Sequence, residues 1–361
     1  MIDLALGQPV IWRDVLQSYI SSVPLLVETT YSLDPSTHAE LQLHLRKLHA
    51  EGGQVPIESN VLLASGITQV LCALLFSIQK ANPSKRIIVA SEVLYYAFLP
   101  SIIAVLGDLI TFVPSIASNE KTLTAYTSSS TLKLTKKDIV VQVCTSPSNP
   151  DGLMRRAHEY LVCNETRRKI SYVMWDASYA WPCYASADSI RQIVDYFSNI
   201  KTPCIALYSL SKSVGLAGQR IGYPLFLKCA QEQNKLSLAF NEYVMQNTLG
   251  NNQAGIAMST SVLKSISLSR VWPQIACILC DRHTYVTSLI QKYARATSAK
   301  GIPYLFVEMR DESKDAVEFF ARRFGWNVMS GTLFGGSAHT ARINLMYSLT
   351  CDIANGALYK K

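Results

Sequence analysis

Apolar residues occur along the chain in short runs that alternate with longer segments of helical period. Five of these runs are rich in β-branched and aromatic residues and apolar on both faces; they span residues 86–93, 139–147, 172–179, 203–211 and 220–226. Strands that are buried on both faces and separated by helices are typical of a mostly parallel sheet covered by helices on both sides. We therefore expect residues with a chemical role at the ends of these strands.

Two other patterns extend this picture. The segment SGITQVLCALLFSI begins with a small Ser-Gly turn and continues with apolar residues at helical spacing, which predicts a helix start whose exposed backbone N–H groups can bind a phosphate. Residues 261–294 also have a helical pattern, and the later runs IPYLFVEM, WNVMSG and ARINLMYS predict strands of a smaller α+β domain. We expect a large domain at 35–262 and a small domain made of 1–34 and 263–361.

Composition narrows the class of protein. The 361 residues are 49% hydrophobic and 17% charged, as in a globular protein. The most apolar long stretch, 97–116, contains Asp108 and is interrupted by Pro100 and Pro114, so it predicts core and no membrane span. The first residues lack the basic and apolar regions of a secretory signal, so we expect a cytoplasmic protein. The net charge of +8 has no basic run, which disfavours nucleic-acid binding.

Cysteines and histidines indicate no metal site. The nine cysteines are odd in number and scattered, which is untypical of a disulfide framework. Cys277 and Cys280 form a C-x-x-C, but no second Cys or His pair follows at zinc spacing. His38, His44 and His49 do not share one helix face, so we interpret them as surface or capping residues.

Polar residues near the ends of the predicted strands form a chemical set. Asn149 lies in SPSNPDG, Asp176 and Tyr179 in WDASYAWP, and Lys212 and Arg220 in SLSKSVGLAGQR. Lys212 directly follows an apolar run, so we expect it in a poorly hydrated place, where an amine is costly without a covalent or ionic role. Each of these residues has a task if the ligand is pyridoxal phosphate.

The expected roles follow from the chemistry of that cofactor. Lys212 forms the Schiff base and moves the α-proton of the substrate, and Asp176 keeps the pyridine nitrogen protonated. Asn149 and Tyr179 hydrogen-bond the phenolic oxygen of the ring. The phosphate is expected to be held by serine hydroxyls, by the bidentate guanidinium of an arginine and by the helix start, namely Ser209, Ser211, Arg220, Ser65, Gly66, Ile67 and Thr68.

These motifs resemble those of the alliinase and tryptophan–pyruvate aminotransferase family, a group of fold type I pyridoxal phosphate enzymes among the class I/II aminotransferases. The resemblance lies in SPSNPDG, WDASYAWPCY and SKSVGLAGQRIGY, while LRKLHAEGG, SGITQVL, VLYYAF and ARINLM follow in the family's order. It implies an α/β fold with a mostly parallel seven-stranded sheet in a large domain, helices on both faces, and a smaller α+β domain. It also implies a homodimer that binds an amino acid and a 2-oxo acid.

The resemblance carries over to further residues. Tyr96 matches the aromatic residue that stacks on the cofactor ring, and Arg342 matches the arginine that binds the α-carboxylate of the substrate. Tyr31 matches a tyrosine that reaches the phosphate bound by the neighbouring subunit. Gly7 and Asn149 are expected to contact the substrate as well.

The implied function is transfer of an amino group from an L-amino acid, an aromatic one such as tryptophan, to a 2-oxo acid. A C–S β-lyase of the alliinase type uses the same residues and stays an alternative. A non-catalytic module with the same fold is a third hypothesis, which the intact Lys212 and Asp176 disfavour. Relatives often carry histidines where this chain has Trp175 and Leu216, which leaves the identity of the substrate open.

Overall fold

A computed structural model describes residues 2–5, 10–17, 38–58, 61–126, 132–181, 186–227, 230–296 and 303–346. The strands in these ranges are β1 (Ile2–Asp3), β2 (Ile87–Glu92), β3 (Ile110–Asn119), β4 (Thr122–Ala125), β5 (Ile139–Thr145), β6 (Tyr160–Cys163), β7 (Thr166–Lys169), β8 (Tyr172–Asp176), β9 (Cys204–Ser209), β10 (Gly222–Leu227), β11 (Ala294–Ala296), β12 (Tyr304–Met309), β13 (Trp326–Asn327), β14 (Met329–Ser330) and β15 (Thr340–Asn344). The helices are α1 (Val10–Gln17), α2 (Ala39–Glu51), α3 (Gly66–Ala81), α4 (Leu99–Ala104), α5 (Ala187–Asn199), α6 (Leu210–Ser213), α7 (Ala230–Thr248), α8 (Gln253–Ser265), α9 (Leu268–Ile290) and α10 (Ala316–Phe324).

The large sheet confirms the predicted α/β architecture. It has nine strands within the described ranges, in the order β10-β9-β8-β5-β2-β3-β4-β6-β7. The central strands β9, β8, β5, β2 and β3 are parallel, while β10 is antiparallel to β9 at one edge. Each of the five apolar runs overlaps one strand of this sheet. The expected number of seven strands is corrected to nine, because β4 and the hairpin β6–β7 extend the sheet beyond β3.

Alternating side chains explain why these strands are apolar on both faces. In β2, Ile87 and Val89 pack into a core with α3, α4 and α7, whereas Ile88 and Ala90 pack into a second core with α2, α5, α8 and α9. Because successive side chains of a strand point to opposite faces, each central strand contributes to both cores. Side chains with a chemical role are then expected at the strand ends.

A second, antiparallel sheet has the strand order β11-β12-β15-β14. The first strand of the chain, β1, pairs with β13, and α1 contacts α9. The helical segment predicted at 261–294 consists of parts of two helices, because the chain breaks from helical geometry at Ile266 and Ser267. The proposed domain boundaries stay a prediction. No helix in the part of the chain that the structure describes is both long and apolar enough to cross a bilayer.

His49 corrects the interpretation of the histidines. It lies in the last turn of α2, which faces the core, and only 1% of it is exposed. Its Nδ1 lies 2.6 Å from the carbonyl oxygen of Val55 and its Nε2 lies 2.8 Å from the hydroxyl of Tyr223. Burial lowers its pKa to about 4, so His49 is a neutral core residue near neutral pH. His38 does precede α2, as a cap would, but it is buried too.

Candidate active site

The carboxyl ends of β5, β8 and β9 meet at one edge of the large sheet. Asn149 follows β5, Asp176 ends β8, and Lys212 lies on the short helix α6 directly after β9. A cavity of about 200 Å³ is found here. It is lined by Ile67, Thr68, Tyr96, Phe98, Asn149, Asp176, Ser178, Tyr179, Ser209, Ser211, Lys212, Ala217, Arg220, Tyr304, Met329 and Arg342. Most residues predicted from the motifs are thus brought into one cavity.

Lys212 is one of the residues that line this cavity. The residue as a whole is only half-buried, but burial of the amine lowers its pKa below the ordinary value. The positive charges of Arg342 and Arg220 act in the same direction, whereas a hydrogen bond with Tyr304 opposes them. A lysine with a lowered pKa has more of the neutral, nucleophilic form at a given pH.

Asp176 is held in place by three hydrogen bonds. The backbone N–H and the hydroxyl of Ser178 donate to Oδ1 at 3.1 and 2.6 Å, and the hydroxyl of Thr145 donates to Oδ2 at 3.4 Å. Burial raises the pKa of this carboxyl, although the hydrogen bonds oppose the effect. A cationic group bound next to it in the cavity would stabilise its ionised form.

Arg220 joins two segments that are far apart in the sequence. Its Nη2 donates to the carbonyl oxygen of Ser65 at 3.1 Å, and its Nη1 lies 3.4 Å from the hydroxyl of Ser211. That hydroxyl also accepts a hydrogen bond from Ser209 at 2.9 Å. We call Ser65, Gly66, Ser209, Ser211 and Arg220 the Arg220 cluster.

Backbone geometry in the Arg220 cluster is restrictive. Arg220 has the left-handed dihedral angles φ 55° and ψ 52°, a conformation that costs free energy for a residue with a Cβ. Gly66 has φ +78°, and a Cβ atom added there would collide with the guanidinium of Arg220. Glycine at this position therefore allows both the turn into α3 and the close approach of the arginine.

The start of α3 only partly matches the predicted phosphate site. The backbone N–H of Ser65 donates to the side chain of Gln69 at 2.7 Å, and that of Gly66 donates to the carbonyl of Ala64 at 2.8 Å. The carbonyl oxygen of Ser65 accepts a hydrogen bond from Arg220, and Gly66 lies against the guanidinium, so both residues position the arginine. Ile67 and Thr68 line the cavity, in the first turn, where N–H groups have no intrahelical acceptor.

Arg342 lies in a very different environment. Only 4% of it is exposed, and it donates to Oδ1 of Asn149 at 2.9 Å and to the carbonyl oxygen of Ala5 at 2.6 Å. Its Cζ lies 4.1 Å from the centre of the Tyr304 ring and 5.3 Å from that of Phe334. Among the described residues all these partners are neutral. A buried cation with neutral partners is a place where a carboxylate would be stabilised.

A row of hydrogen-bonding side chains leads from Arg342 towards Lys212. Nδ2 of Asn149 donates to the hydroxyl of Tyr179 at 3.1 Å, and that hydroxyl lies 3.2 Å from the hydroxyl of Tyr304. Tyr304 is in turn hydrogen-bonded to Lys212. Burial raises the pKa of Tyr179, whereas for Tyr304 the charges of Lys212 and Arg342 outweigh burial and lower the pKa. We call Ala5, Asn149, Tyr179, Tyr304 and Arg342 the Arg342 cluster.

Sequence reasoning did not identify Tyr304 as a site residue. It is the first residue of β12, in the run IPYLFVEM, and only 1% of it is exposed. A tyrosine in an otherwise apolar strand needs a partner for its hydroxyl when it is buried, and this was the available signal. Ser178 and Phe98 also line the cavity without having been predicted.

The remaining predicted residues are distributed as follows. Tyr96 lines the cavity, and burial raises its pKa while a hydrogen bond with Thr68 opposes the shift. Gly7 and Tyr31 lie outside the described residues.

Trp175 is fully buried on the face of β8 opposite to Asp176, where its Nε1 donates to the carbonyl oxygen of Ser146 at 2.8 Å. The missing histidine at this position would therefore point away from the cavity.

A larger cleft of about 1070 Å³ lies elsewhere on the molecule. Its lining includes Glu92, Arg155, His158 and Tyr196, and it shares no residue with the cavity around Lys212. Arg155 is paired there with Glu92 and Asp151, so its charge is already compensated. The smaller cavity is the better candidate for catalysis because it combines a lysine of lowered pKa with a buried carboxylate.

Comparison of the sequence with known proteins gives a consistent result. The profile of a family described as Allinase matches residues 27–274. Tryptophan aminotransferase-related protein 1 of Oryza sativa and tryptophan aminotransferase-related protein 2 of Arabidopsis thaliana are each 26% identical to this chain, over 69% and 74% of its length. The matches cover 47% and 55% of those proteins, so the chain spans about half the length of the curated relatives it matches.

Solved structures share the fold. Aspartate aminotransferase from Thermotoga maritima gives a TM-score of 0.66 at 18% identity, and tyrosine aminotransferase from Leishmania infantum gives 0.67 at 14%. Both matches cover 99% of this chain, and they cover 90% and 89% of the other chains. At this level of identity the similarity concerns the fold, which is that of the fold type I aminotransferases.

Proposed function

The chain belongs to the Allinase family, and on this premise we propose that it is a pyridoxal phosphate-dependent aminotransferase that moves an amino group from an L-amino acid to a 2-oxo acid. One observation carries the proposal: the Lys212 amine shares a cavity of about 200 Å³ with a buried carboxylate and with two guanidinium groups that have separate sets of partners. A reaction between two carboxylic acids on a phosphorylated cofactor needs two anion-binding sites next to one amine.

The residues of the cavity fit the cofactor. The Arg220 cluster offers a guanidinium and two serine hydroxyls to a phosphate, and the missing Cβ of Gly66 leaves the guanidinium room. Asp176 fits a protonated pyridine nitrogen, because a cationic neighbour offsets the cost of burying the carboxylate. Asn149 and Tyr179 would hold the phenolic oxygen, Tyr96 would contact the ring, and Lys212 would bind the aldehyde covalently.

The bound cofactor supplies an electron sink for a carbanion at the α-carbon of the substrate. The protein supplies proton transfer and positioning. Lys212, whose pKa is lowered by burial, is the base that accepts the proton from the α-carbon and later returns one. Arg342 binds the α-carboxylate in a planar, bidentate manner and orients the carbon–hydrogen bond towards that amine.

Finer features of the proposal rest on the family resemblance. We propose an aromatic donor such as tryptophan, which the names of the plant relatives support. We also propose a cytoplasmic homodimer in which Tyr31 reaches the phosphate bound by the neighbouring subunit and Gly7 contacts the substrate. Size-exclusion chromatography with light scattering tests the dimer, and a monomer at all concentrations would contradict it.

A panel of amino donors tests the reaction. Purified protein is reconstituted with pyridoxal phosphate and incubated with each donor and either pyruvate or 2-oxoglutarate. We expect the keto acid of the donor to accumulate only when an acceptor is present, with Lys212→Ala as the inactive control. Absence of a visible absorption band that depends on Lys212 would refute a catalytic role.

A second incubation separates transamination from β-elimination, which the same residues could support. The enzyme receives an S-alkyl cysteine sulfoxide and no acceptor. Steady release of pyruvate would identify a C–S lyase. A single burst of keto acid, no larger than the amount of enzyme, supports the aminotransferase.

A further inference from the structure

Strand pairing places Tyr304 beside Arg342. In the antiparallel pair β12–β15, Phe306 lies opposite Arg342 and Tyr304 lies opposite Asn344. Residues two apart on a strand share a face, so Tyr304 and Arg342 are diagonal neighbours on the same face of this sheet. The guanidinium carbon lies 4.1 Å from the ring centre, which is a close cation–π contact. The ring thus supports the arginine that we assign to the substrate carboxylate.

The hydroxyl of the same side chain faces the amine. It is hydrogen-bonded to Lys212 and lies 3.2 Å from the hydroxyl of Tyr179. The hydroxyl of Tyr179 also accepts a hydrogen bond from Asn149. The hydrogen bond between Tyr304 and Lys212 raises the pKa of the amine and lowers that of the phenol, so the protonated amine donates to the oxygen of Tyr304.

We propose that Tyr304 is a positioning residue of the active site: its hydroxyl orients the Lys212 amine and its ring holds the Arg342 guanidinium, so that one side chain sets the geometry between base and carboxylate site. The assignment to catalysis rests on the proposed function, whereas the contact with Lys212 does not. A tyrosine placed for core packing alone needs neither contact. Tyr304, of which only 1% is exposed, makes both the contact with Lys212 and the contact with Arg342.

The charges around Lys212 determine how the contact is detected. Arg342 and Arg220 lower the pKa of the amine, and Tyr304 raises it through its charge and its hydrogen bond. Asp176, Tyr179 and Tyr304 face the same cavity, and after burial the charge of Tyr304 has the largest effect on the pKa of Lys212. Removal of the Tyr304 hydroxyl should therefore lower the pKa of Lys212 further.

The first test uses the protein without cofactor, and so does not depend on enzymatic activity. Lys212 is acetylated in competition with a free amine at a series of pH values, and its modification is quantified by peptide mass spectrometry. We expect the midpoint of this titration to move to lower pH in Tyr304→Phe, which keeps the ring. An unchanged midpoint in Tyr304→Phe would overturn the proposal.

Tyr293→Phe is the matched control. The hydroxyl of Tyr293 accepts a hydrogen bond from Arg323 at 3.1 Å, and the guanidinium carbon lies 5.5 Å from the ring centre. This tyrosine–arginine pair resembles that of Tyr304 and Arg342 but lies outside the cavity. We expect Tyr293→Phe to leave the titration of Lys212 at the wild-type position. A shift equal to that of Tyr304→Phe would show a general effect on the fold and would refute a specific contact.

The second test separates the two parts of the side chain in the reconstituted enzyme. Tyr304→Phe should lower kcat about tenfold, as the loss of a hydrogen bond to an ionisable group does, and leave KM for the amino acid nearly unchanged. Tyr304→Leu, which also lacks the ring, should in addition raise KM about tenfold because Arg342 loses its support. Wild-type kcat in Tyr304→Phe, or wild-type KM in Tyr304→Leu, would refute the respective role. If no donor is turned over at all, the proposed function fails, while the acetylation test still decides the contact.

Discussion

The two arginine clusters of the cavity are assembled in different ways. The Arg220 cluster comes from two segments, residues 65–66 and 209–220, which meet at the edge of the large sheet where the neighbouring residues Ala64 and Gly222 form an isolated bridge. The Arg342 cluster combines residues from five separate positions between Ala5 and Arg342. The first depends on local turn geometry, and the second depends on how the antiparallel sheet packs against the strand ends.

The clusters also differ in solvation. Arg220 is exposed, whereas only 4% of Arg342 is accessible. A charge in contact with water is screened and contributes mainly through geometry, while a buried charge interacts strongly with a partner. We infer that a phosphate at Arg220 is held by several modest contacts, and that a carboxylate at Arg342 depends heavily on one residue. The following predictions test this difference.

The largest effect is expected at Lys212, whose amine shares the cavity with both clusters. Lys212→Ala removes the nucleophile and the base together, so turnover should fall about 10⁴-fold or more. Both clusters remain intact in this variant, and the cofactor should still bind without a covalent bond. Single-turnover absorbance and equilibrium dialysis measure the two quantities. Substantial turnover in Lys212→Ala would remove this residue from the mechanism.

The next effect concerns the buried cluster. Arg342→Ala should lower kcat/KM for an amino acid about 100-fold or more, because hydrogen bonds to a charged group in a buried site are lost. The corresponding amine without a carboxylate serves as the control substrate, and its slow reaction should be affected far less. An equal loss for both substrates would mean that Arg342 has only a structural role.

A smaller effect is expected in the exposed cluster. Gly66→Ala places a methyl group against the guanidinium of Arg220, so the affinity for pyridoxal phosphate should fall about tenfold, with little change of KM at saturating cofactor. Gly53→Ala is the matched control, because Gly53 has φ +60° but a Cβ there would meet nothing within 4 Å. Fluorescence titration with the cofactor measures the difference. Equal losses in both variants would show that backbone strain, and not the contact with Arg220, is responsible.

The smallest effect concerns the buried carboxyl of Asp176, which lines the same cavity as the two clusters. Burial raises the pKa of Asp176, so the folded protein keeps this proton longer than the unfolded chain does. Stability should therefore decrease as the pH rises from about 4, the ordinary value, through the raised pKa. Asp176→Asn lacks this loss, so in the cofactor-free protein its Tm should exceed that of the wild type by about 1–2 °C near neutral pH and by less at acidic pH. A difference in Tm that does not vary with pH would contradict the assignment.

Local patterns placed three residues of the cavity at strand ends. Asn149, Asp176 and Lys212 follow apolar runs that become buried strands, and the carboxyl ends of neighbouring parallel strands meet at one edge. Gly66 belongs to a Ser-Gly pair that indicated the turn into α3. The apolar pattern did not indicate β6 and β7, because both are only four residues long and β7 is largely exposed.

Other features depend on pairings between distant segments. Tyr304 enters the cavity only through its register with β15, and the neutral partners of Arg342 come from Ala5 and Asn149. His49 showed in the same way that a histidine on a helix can be turned inward.

The five apolar runs of the large sheet, the helix start at Gly66 and the residues at the strand ends were determined by the sequence, because burial period and turn chemistry act over a few neighbouring residues. The tertiary structure decided that Arg342 is the buried arginine of the cavity, that Tyr304 faces the amine of Lys212 and that the carboxylate of Asp176 is enclosed. These properties depend on the number of protein atoms around a charge, and those atoms come from segments hundreds of positions apart.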